Sequence, residues 1–155
     1  MEAKELVKRY AMGAHIENGM FIERHYEHTG TERADSGLIY YYVAPGECTE
    51  FHVIDCDEYW CYACGVPIEV WQIDVNGRLT VSRLGIDEGC EPVLYLRKGV
   101  IFASKLDKSA VDGTFLSCIT VPRFTYEGFR MLTKEDVTEI CPEAESFFAS
   151  EKTGE

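Results

Sequence analysis

The sequence predicts one all-β domain, a sandwich or a barrel, with short helices at its two ends. The chain has 155 residues, which fits a single domain, since domains most often have about 100–150 residues. Hydrophobic residues make up 46% of it and aromatic residues 12%, enough for one sizeable core. From residue 20 to residue 131, short β-branched and aromatic runs follow one another without intervening helices, which favours antiparallel β structure. We assign all of 1–155 to this domain.

The predicted elements begin with a short amphipathic helix. Residues 2–12 place Leu6 and Tyr10 on one face of that helix. The aromatic run 38–43 reads as a strand, and it stops at the turn signal formed by Pro45 and its neighbours. The remaining strands are predicted at 50–54, 58–64, 68–74, 79–84, 93–96, 100–105 and 115–121.

Turn and capping signals complete the pattern. Asn76-Gly77 lies between two strand-like runs and is a strong hairpin signal. Thr133 and Asp136 have the spacing of a capping box, which predicts helices over about 133–150. Pro142 suits the first turn of the last of these helices.

Charge and hydropathy exclude several classes of partner. The net charge of −12 disfavours nucleic acid, whose phosphates are bound by clustered Lys and Arg. No apolar run reaches the roughly 18 residues of a membrane span, so no membrane contact is expected. The first residues lack the basic and apolar regions of a secretory signal, and we expect a cytoplasmic protein.

The cysteines favour reduced thiols over a disulfide framework, because seven is an odd number. Cys61 and Cys64 have the spacing of half a zinc site, but the second half is missing. In a strand, residues three apart point to opposite faces. We expect these two residues and Cys56 to be small buried hydrophobes, and we predict no metal and no cofactor.

One stretch carries the candidate chemistry. Gly46 is followed after five residues by His52, then by Glu58 and by Gly65. The two glycines suit turns, and the residues between them suit two neighbouring strands. Alternation places Glu58 on the same strand face as Trp60. His52 and Glu58 would then project into one interior.

This spacing is the first motif of the cupins, and further motifs in the same order extend the likeness over about 15–131, which we take as the β core. On these residues the chain resembles the cupin family of predicted sugar epimerases, long known as a domain of unknown function. The resemblance implies a double-stranded β-helix, or jelly roll, similar to epimerases of nucleotide-linked keto-sugars. It also implies a homodimer and a pocket inside the barrel. The motifs include His15-Ile16-Glu17-Asn18-Gly19, Leu84-Gly85-Ile86-Asp87 and Val121-Pro122-Arg123-Phe124.

The chain departs from this pattern at several polar positions. Metal-binding cupins have further histidines where this chain has Ile54 and Phe102, which leaves two of the usual ligands. The family also tends to have Arg, His and Trp where this chain has Ile22, Cys61 and Ile101. These departures bear on whether the family's catalysis is shared.

The first functional hypothesis is an epimerase or isomerase of a sugar or nucleotide-sugar, which removes a proton from the carbon next to a carbonyl. His52 is the natural base, because its ordinary pKa is near ~6.5. Glu58 would orient it, and Tyr62 would be the opposing acid. The candidate substrate-binding residues are Glu23, Tyr40, Phe51 and Trp60.

Two alternatives remain open. One is a binding protein without catalysis, which holds a small polar ligand or nucleotide in the same barrel. The other is a metal-dependent cupin enzyme, which needs a further ligand such as His25 or a cysteine.

Overall fold

The computed structural model describes residues 1–26 and 32–149. It confirms the all-β class with short terminal helices: two antiparallel sheets of six and five strands form the body of the fold. Residue 150, the predicted end of the last helix, lies outside the described part of the chain. The helices are α1 (Ala3–Arg9), α2 (Lys134–Ile140) and α3 (Glu145–Ala149).

Each predicted strand lies within two residues of an observed one. The predicted ranges lack three observed strands: Gly13–Ala14 and Phe129–Met131 are too short to show a period, and Met20–Tyr26 lies in the predicted β region without a range of its own. The strands in chain order are β1 (Gly13–Ala14), β2 (Met20–Tyr26), β3 (Gly37–Val43), β4 (His52–Ile54), β5 (Asp57–Gly65), β6 (Ile68–Ile73), β7 (Leu79–Leu84), β8 (Val93–Leu96), β9 (Ile101–Lys105), β10 (Thr114–Val121) and β11 (Phe129–Met131).

The strand order brings distant parts of the chain together. The larger sheet runs β1-β2-β3-β10-β5-β8 and the smaller one β11-β4-β9-β6-β7. In the larger sheet Cys118 of β10 pairs with Ile39 of β3 on one side and with Trp60 of β5 on the other. In the smaller sheet His52 of β4 pairs with Phe102 of β9. The first cupin motif therefore contributes one strand to each sheet.

Three apolar clusters among the described residues hold the fold together. The main core lies between the sheets and includes Trp60, Leu116 and Phe102. A second cluster, with Phe51 and Phe147, lies where the C-terminal helices cover the outer face of the smaller sheet. The third lies under α1, on the outer face of the larger sheet.

The local signals account for the turns. Between β6 and β7, a carboxylate oxygen of Asp74 accepts hydrogen bonds from the main-chain nitrogens of Asn76 and Arg78, which closes the hairpin. Thr133 and Asp136 form the reciprocal capping box at the start of α2. Gly65 has φ +99, and a Cβ there would collide with the carbonyl oxygen of Gly113.

The pairing of β5 with β10 corrects the expectation for the cysteines. A bulge at Ala63 makes Cys61 pair with Ser117 and Cys64 pair with Phe115. Because residues two apart in β10 share a face, Cys61 and Cys64 lie on the same outer face, and both are half-buried. All seven cysteines lie among the described residues and are in the thiol form, with no disulfide between them.

Candidate functional site

A cavity of about 390 Å³ opens between the two sheets. Its inner part is lined by polar side chains from both sheets, together with aromatic and aliphatic groups. The inner polar residues are His15, Glu17, His52, Glu58 and Cys118. Its mouth, the exposed end, is formed by Glu23, Arg123, Tyr126 and Glu127.

The tip of the β1–β2 hairpin delivers Glu17 to this cavity. Asn18 and Gly19 both have positive φ, and the main-chain nitrogen of His15 donates to the carbonyl of Gly19 to close the turn. A Cβ on Gly19 would lie 2.7 Å from Oη of Tyr41, so only glycine fits there. The main-chain nitrogen of Glu50 donates to the Glu17 carbonyl at 3.0 Å, which fixes the tip beside β4.

His52 lies at the start of β4 and is 3% exposed. Its ring packs against Phe102, with the ring centroids 4.2 Å apart. Nδ1 of His52 lies 2.8 Å from the carbonyl oxygen of Glu50 and 2.8 Å from Oε2 of Glu17. Since a carbonyl can only accept, Nδ1 carries a proton, and the lone pair of the neutral imidazole is on Nε2.

Glu17 is a buried carboxylate with an incomplete set of hydrogen bonds. It is 6% exposed, and its Oε2 receives no well-oriented hydrogen bond within the described residues, because the Nδ1–H of His52 is directed to the Glu50 carbonyl. The contact between Oε2 and the ring is therefore an electrostatic one. A buried acceptor of this kind is suited to a ligand hydroxyl or amine.

Glu58 reaches the same cavity from β5 in the opposite sheet. Burial raises the pKa of Glu58 to about 7, and the negative charge of Glu17 adds to the rise. His52, the indole N–H of Trp60 and the thiol of Cys118 oppose it by stabilising the ionised form. The Trp60 hydrogen bond, from Nε1 to Oε1 of Glu58, measures 3.0 Å. Glu58 is thus poised to exchange a proton near neutral pH.

The two histidines of the cavity are shifted in opposite directions. Burial lowers the pKa of His52, but the Glu17 carboxylate, the Glu50 carbonyl and Glu58 outweigh this effect and hold the pKa above its ordinary value. For His15 burial prevails and lowers the pKa, although Glu17 opposes it. Of these two imidazoles in one cavity, His52 therefore has the raised pKa and His15 the lowered one.

The mouth combines an ion pair with aromatic rings. The guanidinium of Arg123 contacts both carboxylate oxygens of Glu23, at 2.8 and 3.0 Å from Nη2. Phe124 packs edge-on against Tyr126, whose side chain is 58% exposed. Aromatic faces and a fixed ion pair of this kind can position a polar ligand with apolar faces.

Three of the residues predicted from the sequence come together in this cavity. His52 and Glu58 line its interior, and Glu23 lies at its mouth. Their catalytic and substrate-binding roles remain predictions.

The four other predicted site residues do not line the cavity. Tyr62 shares the inner face of β5 with Glu58, but it lies four residues further along, about 13 Å at 3.3 Å per residue, and its hydroxyl donates to the Gly65 carbonyl. Trp60 is buried in the main core, where its indole donates to Glu58. Tyr40 lies on the outer face of the larger sheet against Tyr10. Phe51 packs under the C-terminal helices.

Most departures from the family pattern also lie away from the cavity. Ile22 and Cys61 are on the outer side of the larger sheet, and Ile101 belongs to the cluster under the C-terminal helices. Of the five departures, Ile54 lines the cavity and Phe102 packs on the His52 ring.

Sequence reasoning missed Glu17 as a functional residue, and it assigned no chemistry to His15. Both lie in the motif that begins the resemblance, and that position was the available signal. Arg123 belongs to the motif that closes it. Tyr41 lines the cavity in place of its neighbour Tyr40, because alternation along β3 turns it inward.

The comparisons agree with this architecture. The chain matches the Cupin superfamily (DUF985) over residues 4–132, and it therefore belongs to that superfamily. A search of curated proteins gave no significant match. No helix among the described residues is long and apolar enough to cross a membrane.

Solved structures show the same fold. A protein from Shewanella oneidensis is 24% identical, with a TM-score of 0.86, and the alignment covers 100% of this chain and 98% of that one. A hypothetical protein from Leishmania major is 23% identical, with a TM-score of 0.84, and the alignment covers 94% of this chain and 96% of that one. The oxalate decarboxylase of Bacillus subtilis is 16% identical, with a TM-score of 0.59 over 87% of this chain and 34% of the decarboxylase.

The donor set does not fit the metal centre of metal-binding cupins. Ile54 and Phe102 stand where further histidines would be needed. Glu58 is already engaged by the indole of Trp60. Within residues 1–26 and 32–149, no cluster of three or more His, Cys, Asp or Glu side chains could hold a metal ion.

Proposed function

We propose that the cavity binds a sugar or sugar derivative with a carbonyl group, and that the protein is an isomerase or epimerase of it. The observation that carries the proposal is the buried contact between His52 and Glu17, 2.8 Å from Nδ1 to Oε2, with Glu58 in the same cavity. A base with a raised pKa and an acid whose pKa is about 7 are groups suited to proton transfer at carbon.

In the proposed reaction, Nε2 of His52 takes a proton from the carbon beside the carbonyl. Glu17 stabilises the imidazolium that forms, as its charge already raises the pKa of His52. For an epimer, Glu58 in its protonated form is the opposing acid: it gives its proton to the other face of the same carbon. For an isomer, Glu58 protonates the carbonyl oxygen and takes up the hydroxyl proton of the carbon beside it, and His52 returns its proton to the former carbonyl carbon.

The departures from the family weaken this proposal less than the sequence implied. Ile22, Cys61 and Ile101 lie outside the cavity, so these differences leave its polar groups in place. The opposing acid in the proposal is Glu58, whose pKa is about 7. It takes the role that the sequence had assigned to Tyr62.

The test is solvent exchange, measured by proton NMR in D₂O with a panel of free sugars, keto-sugars and nucleotide-linked keto-sugars. We expect deuterium to enter the position beside the carbonyl of at least one compound. His52→Gln should abolish the exchange, and His25→Gln is the matched control because His25 is exposed. Binding of a compound without any exchange would favour a binding protein without catalysis.

A further inference from the structure

The charges around the cavity bear on which form of a sugar it can accept. Among residues 1–26 and 32–149, four carboxylate side chains and one guanidinium line it. Glu17 and Glu58 lie inside, and Glu23, Glu127 and Arg123 lie at the mouth. At the mouth the two carboxylates outweigh the one guanidinium, in a chain whose net charge is already −12.

The guanidinium of Arg123 at the mouth is already paired with a carboxylate, so it does not serve as a binding group for an anion. Both carboxylate oxygens of Glu23 contact Nη2 of Arg123, and Nε also donates to Glu23 at 3.2 Å. This two-point contact holds the planar guanidinium in the fork geometry that a phosphate would otherwise use. The charges of Glu23 and Arg123 cancel each other, and Glu127 adds a further negative charge on the exposed rim.

The interior of the cavity favours a ligand that donates a hydrogen bond. Oε2 of Glu17 is buried and lacks a well-oriented donor among the described residues, so it is complementary to a hydroxyl or amine. The volume of about 390 Å³ lies near the lower end of the range for ligand pockets, about 300–1,000 Å³. The nucleotide part of a nucleotide-sugar would have to extend past Glu23 and Glu127.

We propose that the cavity selects a free, unphosphorylated sugar over phosphate-ester and nucleotide-linked sugars. The inference rests on the proposed function, because it assumes that the cavity takes a sugar. The negative charge at the mouth repels phosphate-ester and nucleotide-linked sugars. Inside, Oε2 of Glu17 accepts a hydrogen bond from a sugar hydroxyl group. Like-charge repulsion at such a rim makes the phosphorylated form bind about tenfold more weakly or worse.

The experiment compares matched ligands on the full chain by isothermal titration calorimetry. Each of several hexoses and pentoses is tested in three forms: the free sugar, its phosphate ester and its nucleoside diphosphate conjugate. We expect at least one free sugar to bind, with its phosphorylated forms about tenfold weaker or more. The difference should shrink at high salt, since screening weakens repulsion at an exposed rim.

Two variants separate rim charge from other causes. Glu127→Gln removes one negative charge at the mouth, so the preference for the free sugar should fall about threefold or more. Glu88→Gln changes the net charge by the same amount on an exposed loop away from the cavity, and it should leave the preference unchanged.

A phosphorylated sugar that binds as tightly as its free form, or more tightly, overturns the inference. So does a panel in which no free sugar binds. Equal effects of Glu127→Gln and Glu88→Gln also contradict it, because the rim would then play no part. Failure of the proposed function is distinguishable: free sugars would bind selectively, but no deuterium would enter them.

Discussion

Nδ1 of His52 lies 2.8 Å from Oε2 of Glu17, although Glu17 is on a hairpin of the larger sheet and His52 is on a strand of the smaller one. The main-chain nitrogen of Glu50 donates to the carbonyl of Glu17, which joins the hairpin tip to the segment just before β4. The contact thus links the orientation of the imidazole to the packing of the two sheets. It also places a negative charge beside the ring.

The first prediction concerns this charge. Glu17→Gln keeps the shape of the side chain and removes its charge, which is the largest contribution that opposes the effect of burial on His52. The pKa of His52 should fall below its value in the unmodified protein. Titration of the histidine ring protons by NMR measures this change.

Glu23→Gln is the matched control, since it removes the same charge at the mouth. It should move the His52 titration much less than Glu17→Gln does, because its carboxylate is held by Arg123. An unchanged His52 titration in Glu17→Gln would show that the contact does not set the protonation of the ring.

The second prediction is a dependence of stability on pH that arises from Glu58. The ordinary pKa of 4.5 rises to about 7 in the folded protein. Between these values the folded state holds a proton that the unfolded state has lost. The stabilisation by protonated Glu58 is therefore fully present below pH 4.5 and is lost as the pH rises through 7.

Urea unfolding at a series of pH values checks this, with Glu58→Gln as the reference because glutamine does not titrate. The free energy of unfolding of the unmodified protein, minus that of Glu58→Gln, should fall by about 3 kcal/mol from pH 4.5 to above pH 7. Glu88→Gln should instead run parallel to the unmodified protein. A constant difference for Glu58→Gln would mean that Glu58 titrates like an exposed carboxyl.

The sequence revealed His52 and Glu58 because both lie on strands, where alternation decides which side chains point inward. The same rule placed Tyr62 on the correct face, but it gives no depth along the strand. Depth excluded Tyr62 from the cavity, since Trp60 lies between it and Glu58.

The alternation rule could not identify Glu17, because Glu17 lies in a turn, where side chains do not alternate between two faces. Its approach to His52 depends on a main-chain bond between segments distant in sequence. The bulge at Ala63, which brings Cys61 and Cys64 to one face, is likewise a property of the paired strands and not of either strand alone.

The third prediction uses a repeated arrangement. The indole nitrogen of Trp60 donates to Glu58, and that of Trp71 donates to Glu69, each at 3.0 Å and two residues apart. Trp60→Phe removes a donor that stabilises ionised Glu58, so the pKa of Glu58 should rise further. The lost hydrogen bond to a charged group should also cost about 1.5–3 kcal/mol at a pH where Glu58 is ionised.

Carboxyl carbon NMR of Glu-labelled protein measures the titration. Trp71→Phe serves as the matched control, because it removes the same indole group from the other sheet, away from Glu58. Its Glu58 titration should coincide with that of the unmodified protein. If Glu58 titrates identically in Trp60→Phe and Trp71→Phe, then the indole of Trp60 does not affect the pKa of Glu58.

The fourth prediction is a homodimer through the outer face of the larger sheet. Tyr59 and Tyr95 stack there with ring centroids 5.1 Å apart, and both are exposed, as are Val93 and Val121 on the same face. β8 is the edge strand of this sheet. A contiguous apolar face on an edge strand is a surface that proteins normally cover, and we expect a second copy to cover it.

Sedimentation equilibrium should therefore give twice the protomer mass of 17.6 kDa. Tyr95→Asp places a charge in the centre of the face and should yield the monomer. Val111→Asp changes a residue that is 93% exposed in the loop before β10, and it should remain dimeric. If the unmodified protein is a monomer, or if Val111→Asp dissociates the dimer as readily as Tyr95→Asp, then the face of Tyr59 and Tyr95 is not where the two copies meet.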